Sequence, residues 1–325
     1  HGAMEHYRNE LADDIEYHNF IQFLFFKQWG DVKRYANENG IKIIGDIPIF
    51  VAADSSDAWA NPEIFLFDEE RKPVKVAGVP PDYFSATGQL WGNPLYNWQK
   101  LKETNYSWWV ERVRANLSTC DIIRIDHFRG FEAYWAVPYG DDTAINGQWE
   151  PGPGIDLFNA IKSQLGELPI IAEDLGLMTQ GVIDLREATG FPGMKILGFA
   201  FDSGEENDYL PHTYTKNCVV YTGTHDNDTL IGWFQKAKEE DRQFARDYLN
   251  SRSDDKIHWD AIRGAWSSVA NMAISPVQDF LGLGSEARIN TPGVAAGNWQ
   301  WRLKHGVLTD ELADRIAKLT KVYSR

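Results

Sequence analysis

The sequence predicts an α/β fold of the (β/α)8-barrel type, and three observations favour it. Short runs rich in Ile, Val and other apolar residues alternate with helical patterns along the chain, as in proteins built on a parallel sheet. The runs are nearly continuous in apolar residues, which is typical of strands buried on both faces. Acidic residues lie near the C-terminal ends of several runs, where barrel enzymes place their catalytic groups. No Gly-x-Gly-x-x-Gly motif or phosphate loop follows the first run, which argues against a nucleotide-binding sheet.

Six predicted strands carry this pattern. A complete barrel of this type has about eight strands, so the pattern provides fewer strands than a closed barrel needs. In chain order, the predicted strands are residues 41–50, 121–128, 169–175, 195–201, 218–226 and, less clearly, 271–281.

Helical patterns fill the connections between these strands. Gly40, Gly166 and Gly190 each follow a helical pattern, at the position where a left-handed residue ends a helix. Thr309 precedes the last pattern and is a suitable N-cap. The predicted helices are residues 31–39, 97–117, 155–165, 179–189, 227–250, 255–270 and 309–323.

The segment 52–118 is too long for an ordinary connection between a strand and a helix. Its part 78–98 is dense in Pro, Gly and aromatic residues, and this content of rings argues for a functional loop and against disorder. The first four residues, His-Gly-Ala-Met, resemble an expression scar. We therefore expect residues 5–325 to form one catalytic barrel domain, with 52–118 as an insertion after its first predicted strand.

The composition favours a neutral substrate. The formal net charge is −15, which repels the phosphates of nucleic acids and anionic membrane surfaces. Aromatic residues make up 13% of the chain, enough for an aromatic-lined cleft as well as a large core. No apolar stretch approaches the ~20 residues of a membrane span, and no secretory signal is visible. We expect a cytoplasmic protein, or one of the plastid stroma if the source is a plant.

Two cysteines, Cys120 and Cys218, each lie just before an apolar run. Buried, reduced thiols are the expected state, because a disulfide is uncommon in an intracellular protein. No Cys-x-x-Cys pair or Cys/His cluster suggests a metal site, and we expect neither a metal nor a cofactor.

The run 121–128, DIIRIDHF, carries charge at its C-terminal end. Side chains alternate between the faces of a strand, so Arg124 and Asp126 point one way while Ile123 and Ile125 point the other. In a barrel, the isoleucines would meet the surrounding helices and the charged pair would face the mouth. Arg124 favours the ionised form of Asp126, and an ionised carboxylate suits a nucleophile at a sugar carbon.

Glu173 lies in the run IIAEDLG, among apolar residues and without a basic neighbour in the sequence. Partial burial without a cation raises the pKa of a carboxyl group and keeps a fraction of it protonated, as a general acid requires. The sequence alone does not separate Glu173 from Asp174. We favour Glu173 because it shares a face with Ile171 and its longer side chain reaches further into a cleft.

Asp226 follows His225 in the run TGTHDNDT. It can serve in catalysis, or it can only cap the predicted helix 227–250. Taken singly, each carboxylate near a strand end is at least as often structural as catalytic. Together, Asp126, Glu173 and Asp226 favour a glycoside-cleaving site, because that chemistry uses paired carboxylates in different environments. Asp46 lies near the C-terminal end of another predicted strand, 41–50, and is a further candidate for the site.

The motifs around these carboxylates resemble those of a known family. RIDHFRG (124–130), IAEDLG (171–176) and GTHDNDT (223–229) are similar to the strand-4, strand-5 and strand-7 signatures of the 4-alpha-glucanotransferases, also called amylomaltases or disproportionating enzymes. The similarity runs from about residue 7 to residue 325. It includes the segments 45–65, 79–98, 288–293 and 297–302.

The resemblance implies transfer of α-1,4-glucan segments between malto-oligosaccharides through a covalent glycosyl ester. It assigns the nucleophile to Asp126, the acid/base to Glu173, and the gripping and straining of the sugar ring to Asp226. Transfer with retention implies that the nucleophile and acid/base carboxyl groups lie about 5–5.5 Å apart. The resemblance also implies that Arg124 holds Asp126. The further substrate contacts that we expect are His127, His225, Asp46, Tyr83, Phe84, Trp91 and Asn298.

The loop 78–98 resembles the segment that covers the family's active-site cleft, so 52–118 is expected to be a cleft-covering subdomain. Its rings, Tyr96 among them, can stack on glucose and exclude water or pack against the barrel. For Trp299 and Trp301, core packing is slightly favoured.

Members of the family are longer and begin with the first barrel strands. We therefore expect this chain to provide about strands 3–8, starting at the helix within residues 7–29. Three explanations are open: an excised fragment, a protein whose other half is a separate chain, and a minimised barrel. We expect little activity unless an N-terminal partner completes the barrel.

Two other functions are compatible with the same residues. An α-glucan hydrolase of the α-amylase type shares the three carboxylates, but it would yield only shorter products from maltotriose. An inactive glucan-binding fragment would bind malto-oligosaccharides without changing them. A nucleotide-dependent sugar transferase is less well supported, because Asp226-Asn227-Asp228 is the nearest match to a diphosphate-binding motif.

Overall fold

The structure is a computed structural model that describes residues 2–82, 85–202, 207–294 and 296–325. Its strands are β1 Ile44–Ile47, β2 Lys75–Val79, β3 Gln89–Pro94, β4 Ile122–Ile125, β5 Ala133–Pro138, β6 Gln148–Pro151, β7 Ile170–Ala172, β8 Gly193–Ile196, β9 Cys218–Tyr221 and β10 Met272–Ile274. Its α-helices are α1 Gly2–Glu10, α2 Ala12–Glu38, α3 Ser56–Ala60, α4 Trp98–Glu103, α5 Ser107–Thr119, α6 Ile155–Leu165, α7 Gln180–Thr189, α8 Leu230–Lys236, α9 Glu239–Leu249, α10 Ile257–Trp266, α11 Val277–Phe280 and α12 Asp310–Val322.

Six parallel strands form the centre of the fold, in the order β1-β4-β7-β8-β9-β10, which we call the parallel arc. Ladders of backbone hydrogen bonds join β1, β4 and β7 in one group and β8, β9 and β10 in another. The N–H of Ala172 donates to the carbonyl of Pro192 at 2.9 Å and links the two groups. Each of the six predicted strands overlaps a strand of the arc, and each strand is shorter than its run. Strand β8 begins two residues before the run 195–201, whose residues 197–199 form a 3-10 helix, and residues 277–280 of the run 271–281 form α11. Within the described residues, β1 and β10 each pair on one side only.

The two faces of the parallel arc have different neighbours because side chains alternate along each strand. One face, the outer face, packs against helices: Ile123 and Ile125 lie in one core with Trp109 and Val110 of α5. The inner face carries an apolar cluster, and the charged residues Asp46 and Arg124 lie near the C-terminal ends of β1 and β4. The apolar cluster consists of Ile122, Ile171, Met194, Ile196, Val219 and Tyr221.

A separate antiparallel sheet, in the order β3-β2-β5-β6, lies outside the parallel arc. The sequence does not predict it. Strands β2 and β3 come from the segment 52–118, but β5 and β6 come from residues 133–151, between β4 and α6. The pairing of Val76 with Val137 and of Gly78 with Trp135 joins the two segments. The segment 133–151, which connects β4 to α6, therefore anchors the polypeptide around the 78–98 loop.

Two predicted helices are each divided in the structure. The predicted helix 97–117 is α4 followed by α5, because Asn105 and Tyr106 adopt left-handed backbone angles, with φ of 52° and 55°, which interrupt a right-handed helix. The predicted helix 227–250 is α8 followed by α9, with an extended residue at Ala237. The predicted helix 31–39 is the end of the longer α2. Helix α6 has the predicted bounds.

Both cysteines are buried free thiols, as predicted: Cys120 precedes β4, and Cys218 begins β9. Helix α2 exposes many of its apolar side chains, among them Phe20, Phe23 and Phe26. Within the described part of the chain, no helix combines the length and apolar character needed to cross a membrane.

Candidate active site

Arg124 joins two carboxylates at the C-terminal ends of β1 and β4. Asp46 and Arg124 are register partners in these strands. The Nη1 atom of Arg124 lies 2.7 and 2.6 Å from the two carboxylate oxygens of Asp46 and 3.1 Å from Oδ1 of Asp126. Its Nε faces the sulfur of Met194 at 3.4 Å. Because the Arg124 side chain is nearly buried, these contacts fix its position on the inner face.

The carboxyl group of Asp126 is subject to opposing effects. Burial is the largest of them and raises its pKa, while Arg124 lowers it, as the sequence predicts. The negative charges of Asp46 and Asp226 raise it further. The net shift of the pKa is upward. Arg124 favours the ionised form, as the sequence predicts, but burial and the two neighbouring carboxylates outweigh it. The effect of Asp226 on this pKa also indicates that the loop after β9 approaches the end of β4.

Glu173 follows β7 and is held by two backbone groups. The N–H of His127 donates to its Oε2 at 2.7 Å, and the N–H of Leu175 donates to its Oε1 at 2.9 Å. Burial is the main cause that raises the pKa of Glu173 to about 7, and the charge of Asp126 adds to it, while Arg124 and the two N–H groups oppose the shift. The residue is only 9% exposed, so burial outweighs the opposing contacts. The direction is the one that the sequence predicts.

Asp174 points to the other side of the same segment. Its Oδ2 accepts a hydrogen bond from Nη1 of Arg186 at 2.6 Å, and its Oδ1 accepts one from the N–H of Met194 at 2.7 Å. These contacts tie the end of β7 to α7 and β8. Asp174 is thus engaged with α7 and β8, whereas the pKa of Glu173 is raised by the charge of Asp126. The preference for Glu173 over Asp174 as the acid/base stays a prediction.

His127 lies between β4 and a short 3-10 helix. Its φ of 52° is in the left-handed region, which is uncommon for residues other than glycine. This conformation accompanies the hydrogen bond from its N–H to Glu173. Burial and the charge of Arg129 lower the pKa of the His127 ring to about 3, so the ring is neutral near pH 7. The ring of Trp91 stands edge-on to it, with centroids 4.8 Å apart.

The segment 223–229, which we call the Asp226 loop, follows β9. The Nδ2 of Asn290 donates to Oδ1 of Asp226 at 2.6 Å, and Nη2 of Arg288 donates to the Asp226 carbonyl at 2.6 Å. Helix α8 begins only at Leu230, and its N-cap is Thr229, whose hydroxyl accepts from the N–H of Gly232. Asp226 is therefore not a helix cap, and its side chain is held by the segment after α11.

Aromatic rings border these groups. Trp299 is 58% exposed, and its ring centroid lies 5.1 Å from that of His225, so the expectation that Trp299 packs in the core is wrong. Trp91 is 37% exposed. Tyr96, by contrast, is buried and donates to the carbonyl of Ile49 at 2.8 Å.

Two further predictions concern the same border. The side-chain amide of Asn298 hydrogen-bonds the backbone of Thr291 and Val294. This places it in the turn that carries Trp299, and its expected contact with substrate stays a prediction. Tyr83 and Phe84 lie outside the described residues.

Comparison with known proteins identifies a family to which this chain is similar. A family model described as 4-alpha-glucanotransferase matches residues 1–309. The chain belongs to the 4-alpha-glucanotransferase family. Among its relatives, the 4-alpha-glucanotransferases of Clostridium butyricum and Synechocystis are 55% and 54% identical to it, over 99% of this chain and 66% and 65% of their own lengths. A solved structure of an amylomaltase from Streptococcus agalactiae in complex with acarbose covers 100% of this chain and 66% of its own chain, with 42% identity and a TM-score of 0.97.

The chain thus spans about two thirds of the length of the curated 4-alpha-glucanotransferases that it matches. Within that part, the arrangement gives this family member two carboxyl groups of different character on adjacent strands. Asp126 is paired with a cation, and Glu173 is enclosed and more basic than an ordinary glutamate. Such a pair can divide nucleophilic and acid/base roles between its members.

Several groups that hold this family member's site together are missed when the residues are considered one at a time. Asn290 and Arg288 hold Asp226 from more than sixty positions away. Tyr221 lies within the electrostatic reach of Arg124 and Asp46. The motif RINTPG (288–293) is a usable signal for the first two, because it lies outside any predicted strand or helix and yet combines Arg, Asn and Gly.

Proposed function

We propose that this chain carries the catalytic centre of a 4-alpha-glucanotransferase, which moves α-1,4-glucan segments between malto-oligosaccharides with retention of configuration. The observation that carries the proposal is the convergence of Asp126, Glu173 and Asp226 at the C-terminal ends of β4, β7 and β9. Electrostatic coupling links Asp126 to both of the others. The family membership supports the same substrate class.

In the first step, a carboxylate oxygen of Asp126 attacks the anomeric carbon of the donor glucan. The bond from that carbon to the glycosidic oxygen breaks, and Glu173 gives its proton to the departing 4-oxygen. The products are a released glucan with a free 4-hydroxyl and a glycosyl ester on Asp126. Arg124 holds Asp126 in a fixed position for the attack.

In the second step, the 4-hydroxyl of an acceptor glucan attacks the anomeric carbon of the ester. Glu173 takes the hydroxyl proton, and the bond to Asp126 breaks, so that the carboxylate is regenerated. A pKa of about 7 suits Glu173 to both steps, because an acid/base that gives and then takes a proton works best near the ambient pH. The neutral ring of His127 is suited to hydrogen bonds with sugar hydroxyls.

Asp226 and His225 are proposed to bind hydroxyls of the sugar at the reaction centre and to favour its distorted form. The contacts from Asn290 and Arg288 support this role because they fix the position of the carboxylate. Trp91 and Trp299 offer partly exposed rings at the border of the site. Rings in this position can stack on glucose faces and exclude water, which favours a sugar acceptor over hydrolysis.

We further propose that the parallel arc represents about strands 3–8 of a (β/α)8 barrel, within a single catalytic domain of residues 5–325. The segment 52–118 would cover the cleft, together with β5 and β6. The strand order and the charged strand ends support a barrel. A separate N-terminal chain is the proposed partner for the one-sided strands β1 and β10 and for the exposed rings of α2.

The proposed location is the cytoplasm, or the plastid stroma for a plant protein. Free buried thiols at Cys120 and Cys218 are the state expected in a reducing compartment.

The test is incubation with maltotriose and analysis of the products by chain length. Transfer yields glucose together with longer oligomers, whereas hydrolysis yields only shorter sugars. The chain is assayed alone and mixed with the N-terminal third of the Clostridium butyricum relative, and Asp126→Asn is compared with the surface control Asp184→Asn. Longer oligomers that require the partner and Asp126 support the proposal. Shorter sugars alone, or no reaction in any mixture, would overturn it.

A further inference from the structure

We propose that Asp279 is a positioning residue that closes the Asp226 loop at both of its ends and thereby holds Asp226 and His225 at the site. The inference deepens the proposed function and rests on it for the role of Asp226. Asp279 lies in α11, which none of the sequence motifs of the site includes.

The two oxygens of Asp279 reach opposite ends of the loop. Its Oδ2 accepts a 2.6 Å hydrogen bond from the hydroxyl of Thr222, which directly precedes the loop. Its Oδ1 accepts a 2.8 Å hydrogen bond from the N–H of Leu230, which directly follows the loop and begins α8. One carboxylate therefore bridges the residues on either side of a seven-residue segment, residues 223–229.

This link is additional to the local cap of α8. Thr229 already caps the helix through the N–H of Gly232, so the N–H of Leu230 is left for a partner from elsewhere in the chain. Asp279 supplies that partner from 49 positions away. The bonds within the loop are short-range by comparison, from Thr224 to the side chain of Asn227. These bonds stay within the loop and do not join its two ends.

The same segment also holds the middle of the loop. Ser285 donates to Oδ2 of Asp228 at 2.7 Å, and Arg288 and Asn290 hold Asp226. The N–H of Asn290 also donates to the carbonyl of His225 at 3.1 Å. The segment 277–290 thus contacts the loop at its two ends and at three internal residues, His225, Asp226 and Asp228. Of the four residues of the segment that make these contacts, only Asp279 is almost fully buried, at 1% exposure. If its carboxylate is removed, the Thr222 hydroxyl and the Leu230 N–H are left buried without their partner.

The hydrogen-bonding groups of Asp279 and Thr222 predict which substitutions preserve the bridge that Asp279 forms between Thr222 and Leu230. Burial raises the pKa of Asp279 to about 6, so the bridge must tolerate a protonated acid. It can do so because the Thr222 hydroxyl both donates and accepts. A protonated carboxyl, or the amide of Asn, can donate to that hydroxyl while its carbonyl oxygen still accepts from Leu230. Asp279→Asn therefore preserves both hydrogen bonds, and Asp279→Ala preserves neither.

The experiment compares Asp279→Ala with Asp279→Asn, and Thr222→Val with Thr222→Ser, in the form of the protein that shows transfer. Amide hydrogen exchange of peptides within 223–230 measures the attachment of the loop directly, and kcat and KM for maltotriose transfer measure its consequence. We expect faster exchange in Asp279→Ala and Thr222→Val, with kcat lowered about tenfold to a hundredfold, as for a small misplacement of a catalytic group. KM should change little, because the lost contact acts mainly in the transition state.

Asp279→Asn and Thr222→Ser should stay within about threefold of the wild-type kcat and show wild-type exchange. Unchanged exchange and unchanged kcat in both Asp279→Ala and Thr222→Val would overturn the inference, as would an equally large loss in Asp279→Asn. If Asp279→Ala does not fold, Thr222→Val carries the same test with the carboxylate in place. The two proposals can fail separately. If the wild-type protein shows no transfer but Asp279→Ala and Thr222→Val show faster exchange, the bridge is supported and the proposed function is refuted.

Discussion

Arg124 contacts Asp46 and Asp126 through a single nitrogen, Nη1, at 2.6 Å from the nearer oxygen of Asp46 and at 3.1 Å from Asp126. The tighter partner is thus the carboxylate of the neighbouring strand β1, and Asp126 is the looser one. In the proposed reaction, in which Asp126 changes from carboxylate to ester, we expect Asp46 to keep the guanidinium in position. This relationship places Asp46 behind the reacting group as a support for Arg124, in addition to its expected contact with substrate.

Asp46→Asn is expected to lower transfer activity by about tenfold to a hundredfold, since a displaced Arg124 no longer fixes Asp126. The amide retains the size of the side chain but loses the charge that holds the guanidinium. Steady-state kinetics with maltotriose measure the effect, and Asp184→Asn on the exposed surface of α7 is the matched control. Unchanged kcat in Asp46→Asn would mean that Arg124 keeps its position without β1.

The pH dependence of transfer is expected to follow Glu173. Because its pKa is raised to about 7, the protonated form that starts the reaction is lost as the pH rises through that value. The profile of kcat/KM against pH should therefore fall above about pH 7, the pKa of the free enzyme's acid. A profile that stays level to pH 9 would exclude Glu173 as the proton donor.

Glu173→Gln is expected to affect donors with poor leaving groups far more than donors with good ones. A leaving group such as fluoride departs without a proton, whereas a glucose 4-oxygen requires one. Rates with maltotriose and with a maltosyl fluoride measure the difference. Equal losses on the two donors would indicate that Glu173 acts in some way other than by giving a proton.

Glu173 is also expected to make stability depend on pH. Its pKa is raised from 4.5 to about 7 in the folded state, so its favourable contribution is complete below about pH 4.5 and is lost as the pH rises through about 7. Glu173→Gln lacks this loss. Its Tm relative to wild type should therefore increase between about pH 4.5 and pH 8, by the equivalent of roughly 3 kcal/mol at most. A constant difference in Tm across this range would contradict the raised pKa.

Trp299→Ala is expected to raise KM for malto-oligosaccharides by about threefold to tenfold, the range for loss of one aromatic contact. Stability should change little, because the ring is exposed. The control is Trp59→Ala, which removes another exposed ring from α3. The same rise in KM for both variants would mean that the effect is not specific to the ring beside His225.

Periodicity predicts the centre of this fold well. Strands β4, β7, β8 and β9 are largely buried, so their sequences are mostly apolar and easily recognised. The alternation of Ile123 and Ile125 with Arg124 and Asp126 also predicts the two faces of β4, because successive side chains of a strand point to opposite faces.

The antiparallel sheet is not predicted because its strands have little pattern of their own. Strand β3, QLWGNP, contains Gly92 and Pro94 and is largely exposed. Its strand character comes from pairing with β2, which a single sequence does not reveal. The break between α4 and α5 is also missed, because the helical pattern of residues 97–117 continues through Asn105 and Tyr106, which adopt left-handed angles.

The supporting residues of the site are hidden for another reason. Asp279 and Asn290 act on groups 49 to 64 positions away. The motif RINTPG singles out Asn290 but not its partner Asp226, and no motif of the site includes Asp279. The carboxylates themselves are predictable from their positions at strand ends. The residues that hold these carboxylates in place can be found only from contacts in the folded chain.

The most direct test of the account is mass analysis of a trapped glycosyl intermediate. Glu173→Gln is incubated with a maltosyl fluoride, which glycosylates the nucleophile while the ester turns over slowly, and the protein is then digested and sequenced by mass spectrometry. We predict a maltosyl ester on Asp126, within the peptide DIIRIDHFRG, and no label when Asp126 is also replaced by Asn. A label on another carboxylate, or the same label in the double variant, would contradict it.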